Sequence, residues 1–477
     1  MIIHFFTGQM NSHEQLKTCC IVFVNMILGT FLLSSIFLHP IFGENDIQDK
    51  LISNPITNPF PYHLFNEDND RIPNQYIIYL KDSNTIEGNA IGSQKLDPIQ
   101  FYNKELRDTG SELLYSYKYV AKGIAVKLAN EEILESLKKN PLVKYIGEDR
   151  IISTKPFIEY IGKDTVRSTF TEQELSGQII PKGIDRVDGD LNSFYSDSNS
   201  INTDIAVLDT GIDLDHDDLN VYQEKTFIPG TTTANDDHGH GTHIAGVAAA
   251  KDNSLGTVGI APGARLWAIK VLESSGNGEI STLVKGLDYI AKNARQIDVA
   301  VLSLGCECKS DILDMAIDNA IRAGITVVVA AGNEGKNAHA FSPANNPNVI
   351  AVSAIIDTDG KCGGNGPATS YGSDDTLASF SNYGDIVDIA APGVDIYSTF
   401  KNNSYASLTG TSMAAPHVAG AAALYLNLHQ GASPEEVKKY LISSGSEISD
   451  SCDNKGHGYF SGDRDDFHEP LLYVGSD

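Results

Sequence analysis

Hydrophobic and polar positions alternate along this chain in three different ways. The first is a nearly unbroken apolar run over residues 21–42, interrupted by Asn25, with Lys17 before it and Gly43-Glu44 after it. A basic flank followed by such a run is the pattern of a signal peptide or a membrane anchor, which assigns residues 1–43. The rest of the chain is then expected outside the cell or on its surface. Residues 44–72, rich in Asn, Pro and Asp and without period, read as a linker. The second texture mixes short strands with short helices. Apolar strands are predicted over 76–80, 123–128 and 143–146, with one helix near 98–110. A second helix starts after Asn130, carries Glu131 and Glu132 in its first turn and stops before Pro141. This order suits a split β-α-β plait, a small ferredoxin-like α+β domain over residues 73–153. Residues 154–177 carry no period and read as a hinge. From 178 onward the third texture begins, with continuous apolar strands at 205–208, 266–271, 299–304, 325–330 and 349–354. Helices near 241–250, 281–295, 311–323, 412–427 and 434–444 alternate with them. Continuous rather than alternating strands imply a sheet buried on both faces. Residues 178–477 are therefore expected to form a three-layer α/β domain, mainly parallel, with helices on both faces. In such sheets chemistry collects at the carboxyl ends of the strands.

Composition narrows the partners. A formal net charge of −27 over 477 residues repels nucleic acid and anionic membrane surfaces, so neither is expected as a partner. Of the six cysteines, Cys19 and Cys20 go with the apolar run, and Cys306, Cys308, Cys362 and Cys452 remain for an oxidising compartment. A C-x-C pair without further close Cys or His ligands is a poor zinc site, so disulfides are the expectation. If the strand continues through them, Cys306 and Cys308 point the same way and do not bridge each other. One is expected to pair with Cys362 and the other with Cys452.

Three segments put reactive side chains at a strand end or a helix start. Ala206-Val207-Leu208-Asp209-Thr210-Gly211 ends a buried strand on a carboxylate. His238-Gly239-His240-Gly241-Thr242-His243 enters an Ala-rich helix. Gly410-Thr411-Ser412-Met413-Ala414-Ala415-Pro416 places a hydroxyl on the first turn of a helix. Each has a plainer reading. Asp-Thr-Gly also marks aspartic proteases, and a second copy stands at Asp108-Thr109-Gly110, but in a helical region of a chain that is not all-β. The histidine cluster lacks the H-E-x-x-H arrangement of a zinc peptidase. A serine at a helix start is often an N-cap. Together, however, they are the parts of a nucleophile activated by a carboxylate-oriented base.

On these blocks, residues 178–445 resemble the catalytic domain of the subtilisin-like serine proteases. Asp209-Thr210-Gly211-Ile212, His240-Gly241-Thr242-His243-Ile244-Ala245-Gly246 and Gly410-Thr411-Ser412-Met413-Ala414-Ala415-Pro416-His417 occur in the family's order. The resemblance implies Ser412 as nucleophile, His240 rather than His238 or His243 as general base, and Asp209 as its orienter. Ala330-Ala331-Gly332-Asn333-Glu334-Gly335 implies an oxyanion donor in Asn333. Ser303, Leu304 and Gly305 would align a peptide as an added strand, with Ala330 and Gly332 walling the first pocket. Residues 76–150 resemble the family's inhibitory propeptide, and Gln178 the start of its mature enzyme. The resemblance also implies structural calcium, held by Gln178, Asp218 and Asn253 side chains and by the carbonyls of Lys251, Leu255 and Thr257. The implied protein is a secreted serine endopeptidase made as a self-processing zymogen. It would act as a monomer on protein or peptide substrates, its propeptide an intramolecular inhibitor. The competing reading is a catalytically silent fold used for binding, although all four catalytic positions are filled. Residues 357–375 depart from the family as an insertion, and 446–477 read as an acidic tail or, less in keeping with the pattern, a calcium turn.

Overall fold

The computed structural model describes residues 70–81, 97–154, 157–162, 177–191 and 201–475. The apolar run at 21–42 and residues 44–69 of the expected linker lie outside them, while the linker's last two residues, Arg71 and Ile72, already belong to the first strand, so it ends earlier than expected. No helix among the described residues is long and apolar enough to cross a membrane.

The first folded segment is built from β1 (Arg71–Leu80), α1 (Pro98–Glu105), β2 (Glu112–Tyr117), β3 (Gly123–Lys127), α2 (Glu131–Lys138) and β4 (Val143–Ser153). The strands are antiparallel in the order β2-β3-β1-β4. Both helices start on a side chain that satisfies an otherwise orphaned backbone donor. Asp97 Oδ1 accepts from the Ile99 N–H at 2.8 Å, and Asn130 Oδ1 from the Ile133 N–H at 3.2 Å. One face of the sheet packs Ile78, Ile124 and Val126 against Phe101, Leu106 and Leu137. The other carries Ile77, Tyr79, Tyr117 and Ala125, which join the core of the larger domain. Strand β2 escaped the pattern of the sequence because most of its residues are half-buried on both faces, which erases the period of two.

The hinge proposed for 154–177 is not wholly irregular. Its residues Phe157–Gly162 form β5, whose partner edge belongs to the larger domain and lies far away in sequence. No local pattern announces a strand of that kind.

The larger domain centres on a sheet of β6 (Asp204–Asp209), β7 (Val221–Thr226), β8 (Arg265–Lys270), β10 (Val299–Leu302), β11 (Thr326–Ala330), β12 (Ile350–Ile356) and β13 (Thr376–Leu377), with β14 (Ile389–Pro392) beside β12. Its order is β13-β12-β11-β10-β6-β8-β7 and every pairing except β12 with β13 is parallel. Every residue of β6, β10, β11 and β12 is buried, as the continuous apolar runs require. Between them come a short α3 (Lys182–Arg186), α4 (His240–Ala249), β9 (Asn277–Glu279), α5 (Ile280–Lys292) and α6 (Asp311–Arg322). A hairpin of β15 (Ile396–Phe400) and β16 (Ser404–Thr409) leads into α7 (Thr411–Leu428) and then α8 (Pro434–Ser444). Helices α4 and α7, made largely of Ala and Gly, pack with Val207, Val301 and Val328 on one face of the sheet. Helices α5 and α6 pack with Leu208, Leu302 and Val329 on the other.

Two expectations are overturned. Cys306 and Cys308 bridge each other, and Cys362 pairs with Cys452. The strand ends at Leu302, and beyond it Gly305 and Cys306 form only isolated bridges, to Ser153 and Ser342. The chain bends at Glu307, the Ser342 N–H donates to both the Cys306 and Cys308 carbonyls at 3.1 and 3.0 Å, and the two Cα atoms come within 5.2 Å. Nor are residues 446–475 a free acidic tail. Leu471 bridges to both Ala390 and Ser446, Ser461 to Thr376, and Phe460 and Leu471 fill a small apolar cluster with Ile355 and Leu377.

Candidate active site

The site is assembled at the carboxyl end of β6 and the first turns of α4 and α7. Asp209, the last residue of β6, is 1% exposed, and its Oδ1 accepts a hydrogen bond from the backbone N–H of Thr210 at 2.7 Å. The same oxygen lies 2.8 Å from Nδ1 of His240, which opens α4 and is fully buried. Thr210 N–H and His240 Nδ1–H therefore both donate to one carboxylate oxygen. That contact fixes the proton on Nδ1, so Nε2 carries the lone pair of a base. His240 Nε2 and Asp209 Oδ2 have no hydrogen-bond partner among the described residues.

The start of α4 is held by a residue that the motif does not include. Asp236 Oδ1 accepts from Thr210 Oγ1 and from the His238 and Gly239 N–H groups at 2.9, 2.9 and 2.8 Å. Its Oδ2 accepts from the N–H and Oγ1 of Thr242 at 2.9 and 2.6 Å. One carboxylate thus ties the strand end bearing Asp209 to the helix start bearing His240. The neighbouring histidines are in other roles. His243 Nε2–H donates to the Ile396 and Ala406 carbonyls at 2.9 and 3.1 Å, and burial holds its pKa down to about 3. Burial, and then the charge of His240, pushes His238 down to about 4. His417 donates to the Met413 carbonyl at 2.8 Å and is likewise lowered to about 4 by burial.

Ser412 sits in the first turn of α7, 3% exposed. Its hydroxyl donates to the Ser303 carbonyl at 3.3 Å, and the Ser303 hydroxyl donates to the Ser412 carbonyl at 3.0 Å. Asn333 lies beyond β11, where its Oδ1 accepts from both the N–H and the Oγ1 of Thr411 at 2.8 Å. Those two bonds decide which edge of the amide is oxygen, so the other edge is the donor side. Asn382 holds the same turn through Oδ1, which accepts from the Glu334 and Lys336 N–H groups at 3.2 and 2.9 Å. Gly332, with φ of +107°, leaves no room for a Cβ against the Asn382 amide. Ser303, Leu304, Gly305, Ala330 and Gly332 line one cavity with Asn333 and Ser412, so all the sequence-predicted groove residues converge.

The chain itself lies along this groove. The Ser153 N–H donates to the Gly305 carbonyl and the Gly305 N–H to the Ser153 carbonyl, each at 3.1 Å. On its other edge the end of β4 pairs with β9, Ile151 opposite Glu279, Ile152 opposite Gly278 and Ser153 opposite Asn277. The Thr154 N–H donates to the Gly276 carbonyl at 3.0 Å. On the far side, β5 pairs antiparallel with β16, Phe157 opposite Thr409, three residues before Ser412. The propeptide-like sheet is anchored on α5 and α6. Asp288 of α5 accepts from the N–H groups of Lys118, Tyr119 and Val120 at 2.8, 2.6 and 3.1 Å. Tyr117 and Tyr79 hydroxyls donate to the Ser281 and Ile312 carbonyls at 3.0 and 3.1 Å.

The expected calcium donors also meet. Asp218 is fully buried, and burial raises its pKa above the ordinary value. Its Oδ1 accepts from Asn253 Nδ2 at 3.0 Å and its Oδ2 from the Thr257 N–H at 3.0 Å. Gln178 Nε2 donates to the Lys251 and Thr257 carbonyls at 2.7 and 2.9 Å. A half-turn of the two amides would present two more oxygens beside one carboxylate and two carbonyls, an all-oxygen set that suits calcium. Leu255 contributes its N–H to Asn253 Oδ1 at 2.9 Å.

Comparison with known proteins agrees with this geometry. The Subtilase family profile matches residues 200–459, and that of the Peptidase inhibitor I9 family matches residues 75–155. An alkaline protease of Alkalihalobacillus alcalophilus is 33% identical over 374 residues, covering 78% of this chain and 87% of its own. Subtilisin E of Bacillus subtilis is 35% identical, covering 72% of this chain and 81% of its own. Subtilisin DY of Bacillus licheniformis is 40% identical over 277 residues, covering 57% and 94%. The crystal structure of a cold adapted subtilisin-like serine proteinase superposes with a TM-score of 0.51 at 32% identity, covering 63% of this chain and 99% of that one. A buried Asp–His pair at the carboxyl end of a parallel sheet, a serine on the facing helix and an I9 domain docked on α5 and α6 belong together: the chain is a serine peptidase of the Subtilase family, preceded by an I9 propeptide domain.

Proposed function

We propose that the protein is a secreted or cell-surface serine endopeptidase that cuts its own propeptide and then acts on other proteins or peptides. The observation that carries this reading is the course of the chain through its own groove. Strand addition to Gly305 and Gly276 on one side and to β16 on the other is how a peptide substrate would bind.

In the proposed reaction the Ser412 hydroxyl turns from the Ser303 carbonyl toward His240 Nε2, which takes its proton as Oγ attacks the peptide carbonyl. Asp209 keeps the imidazole oriented and stabilises the imidazolium that forms. The Asn333 amide and the Ser412 N–H would receive the oxyanion, a contribution on the order of 3 kcal/mol for one donor. His240 then returns the proton to the leaving amine, and water completes the cycle through the same base. Structural calcium at Gln178, Asp218, Lys251, Asn253, Leu255 and Thr257 would clamp the new N-terminus once the propeptide is released. It takes no part in the chemistry.

This reading narrows the first cut from the interval 154–177 to the bonds between Thr154 and Phe157. Lys155 and Pro156 lie outside the described residues. Trimming to Gln178 would follow. The Ser412→Ala chain, expressed in a host without other proteases, should fold and persist as the full precursor, with no peptidase activity. The wild-type first product should begin within Lys155–Phe157 on N-terminal sequencing. Normal maturation of Ser412→Ala would reject self-processing.

A further inference from the structure

The insertion that sets this chain apart holds a cluster of carboxylates that the catalytic reading does not use. Asp357, Asp359 and Asp374 each bring one oxygen to within 4.8 Å of the others. Acidic side chains crowd on many surfaces without meaning, but this cluster has a second feature. Asp357 is 3% exposed, and one of its carboxylate oxygens is buried with no hydrogen-bond partner among the described residues. Its other oxygen accepts from the Gly360 N–H at 3.0 Å. A desolvated, half-satisfied carboxylate costs several kcal/mol unless something compensates it.

Two nearby cations are committed elsewhere. Arg186 is fully buried and spends its donors on Asp375 at 2.7 Å and on the Gly456 and Gly458 carbonyls at 2.6 and 3.1 Å. Lys182 donates to the Thr358 carbonyl at 2.7 Å. Among the described residues none of the three cluster carboxylates forms an ion pair. The loop is nevertheless shaped around them. Thr358 donates its N–H and its hydroxyl to Asp374 Oδ1 at 2.8 and 2.9 Å, and the Gly366 N–H donates to Asp374 Oδ2 at 2.7 Å.

We infer that Asp357, Asp359 and Asp374 form a second calcium site, separate from the one at Asp218, which closes the inserted loop. Calcium sits 2.3–2.6 Å from its oxygens, so two ligands on opposite sides of the ion stand roughly 4.6–5.2 Å apart, and a cluster spanning no more than 4.8 Å can be bridged by one ion. The three carboxylates offer oxygen alone, with no nitrogen or sulfur to favour zinc. Backbone carbonyls and water would complete the shell, as is usual for calcium. Bound there, the ion would fasten residues 357–366 to Asp374, next to the Cys362–Cys452 bridge and the buried Arg186–Asp375 pair.

The test counts bound metal. The full chain with Ser412→Ala, which cannot digest itself, is dialysed against micromolar calcium chloride and the calcium retained per chain is measured. Adding Asp357→Asn and Asp359→Asn should remove one calcium per chain, and the same loss should appear when Asp218→Ala is already present. In chelator the Asn variant should melt no lower than its parent, since it has lost repulsion and no metal. Unchanged stoichiometry overturns the site. Should the variant fail to fold, hydrogen exchange on the parent decides. Calcium should slow the amides of Thr358, Gly360 and Gly366, and equal rates with and without calcium overturn the proposal.

Discussion

At the scale of single residues, the side chains proposed for catalysis are set by neighbours whose roles arise only on folding. The short blocks around Asp209, His240 and Ser412 were legible because each puts a reactive group beside a glycine or at a strand or helix end. Asp236, Thr411 and Asn382 were not, since an aspartate in a loop, a threonine before a serine and an asparagine near a turn are commonplace in sequence. Their function is to join segments that are distant along the chain: Asp236 links Thr210 to the start of α4, and Thr411 fixes the amide of Asn333. In the proposed mechanism Asn333 acts on charge that develops in the transition state, so Asn333→Ala should lower kcat about 100-fold with little change in KM. Steady-state kinetics on a peptide substrate would show this. A rise in KM at unchanged kcat would instead assign Asn333 to ground-state binding.

At the scale of elements, the parallel strands and their helices were readable because buried strands are continuously apolar and alternate with helix-length segments. What local pattern missed were the elements stabilised by a distant edge. Strand β5 exists against β16, and the end of β4 against β9 and Gly305. The Cys306–Cys308 bridge was missed for the related reason that the bend at Glu307 depends on Ser342, supplied from another loop. The docking of the propeptide domain also carries a pH dependence. Asp149 is buried where β4 meets α5, accepting from the Ser281 N–H at 3.0 Å and from Gln75 Nε2 at 3.1 Å. Burial raises its pKa above the ordinary 3.8, and burial, then the charge of Asp149, raises that of Glu279. An acid raised in the docked state binds its proton more tightly there than when free. Docking is therefore strongest below the ordinary carboxylate range and weakens as pH rises through the raised values. Separately made residues 73–153 should inhibit the mature enzyme at micromolar concentration, with an inhibition constant that worsens as pH rises above the ordinary carboxylate range. Asp149→Asn should flatten that trend. An inhibition constant that improves with pH would contradict this account.

At the scale of the whole molecule, the larger domain is closed by segments that hydrophobic pattern could not place. Residues 446–475 return to the sheet through Leu471 and to the inserted loop through Cys452. The acidic surplus behind the formal charge of −27 includes buried carboxylates, such as Asp218 and Asp357, that a divalent cation would relieve. Calcium should therefore raise the melting temperature by mass action. Asp218→Ala should lose part of that shift, and a full shift in the variant would remove Asp218 from the calcium ligands. The central claim remains that Ser412, driven by His240 and Asp209, is the nucleophile. Its most direct measurement is labelling of the mature enzyme with a fluorophosphonate, followed by mass spectrometry of the modified peptide. The predicted result is one adduct, on Ser412, lost in His240→Ala together with peptidase activity. Adduct formation on another residue, with Ser412 unmodified in fully inhibited enzyme, would contradict the account.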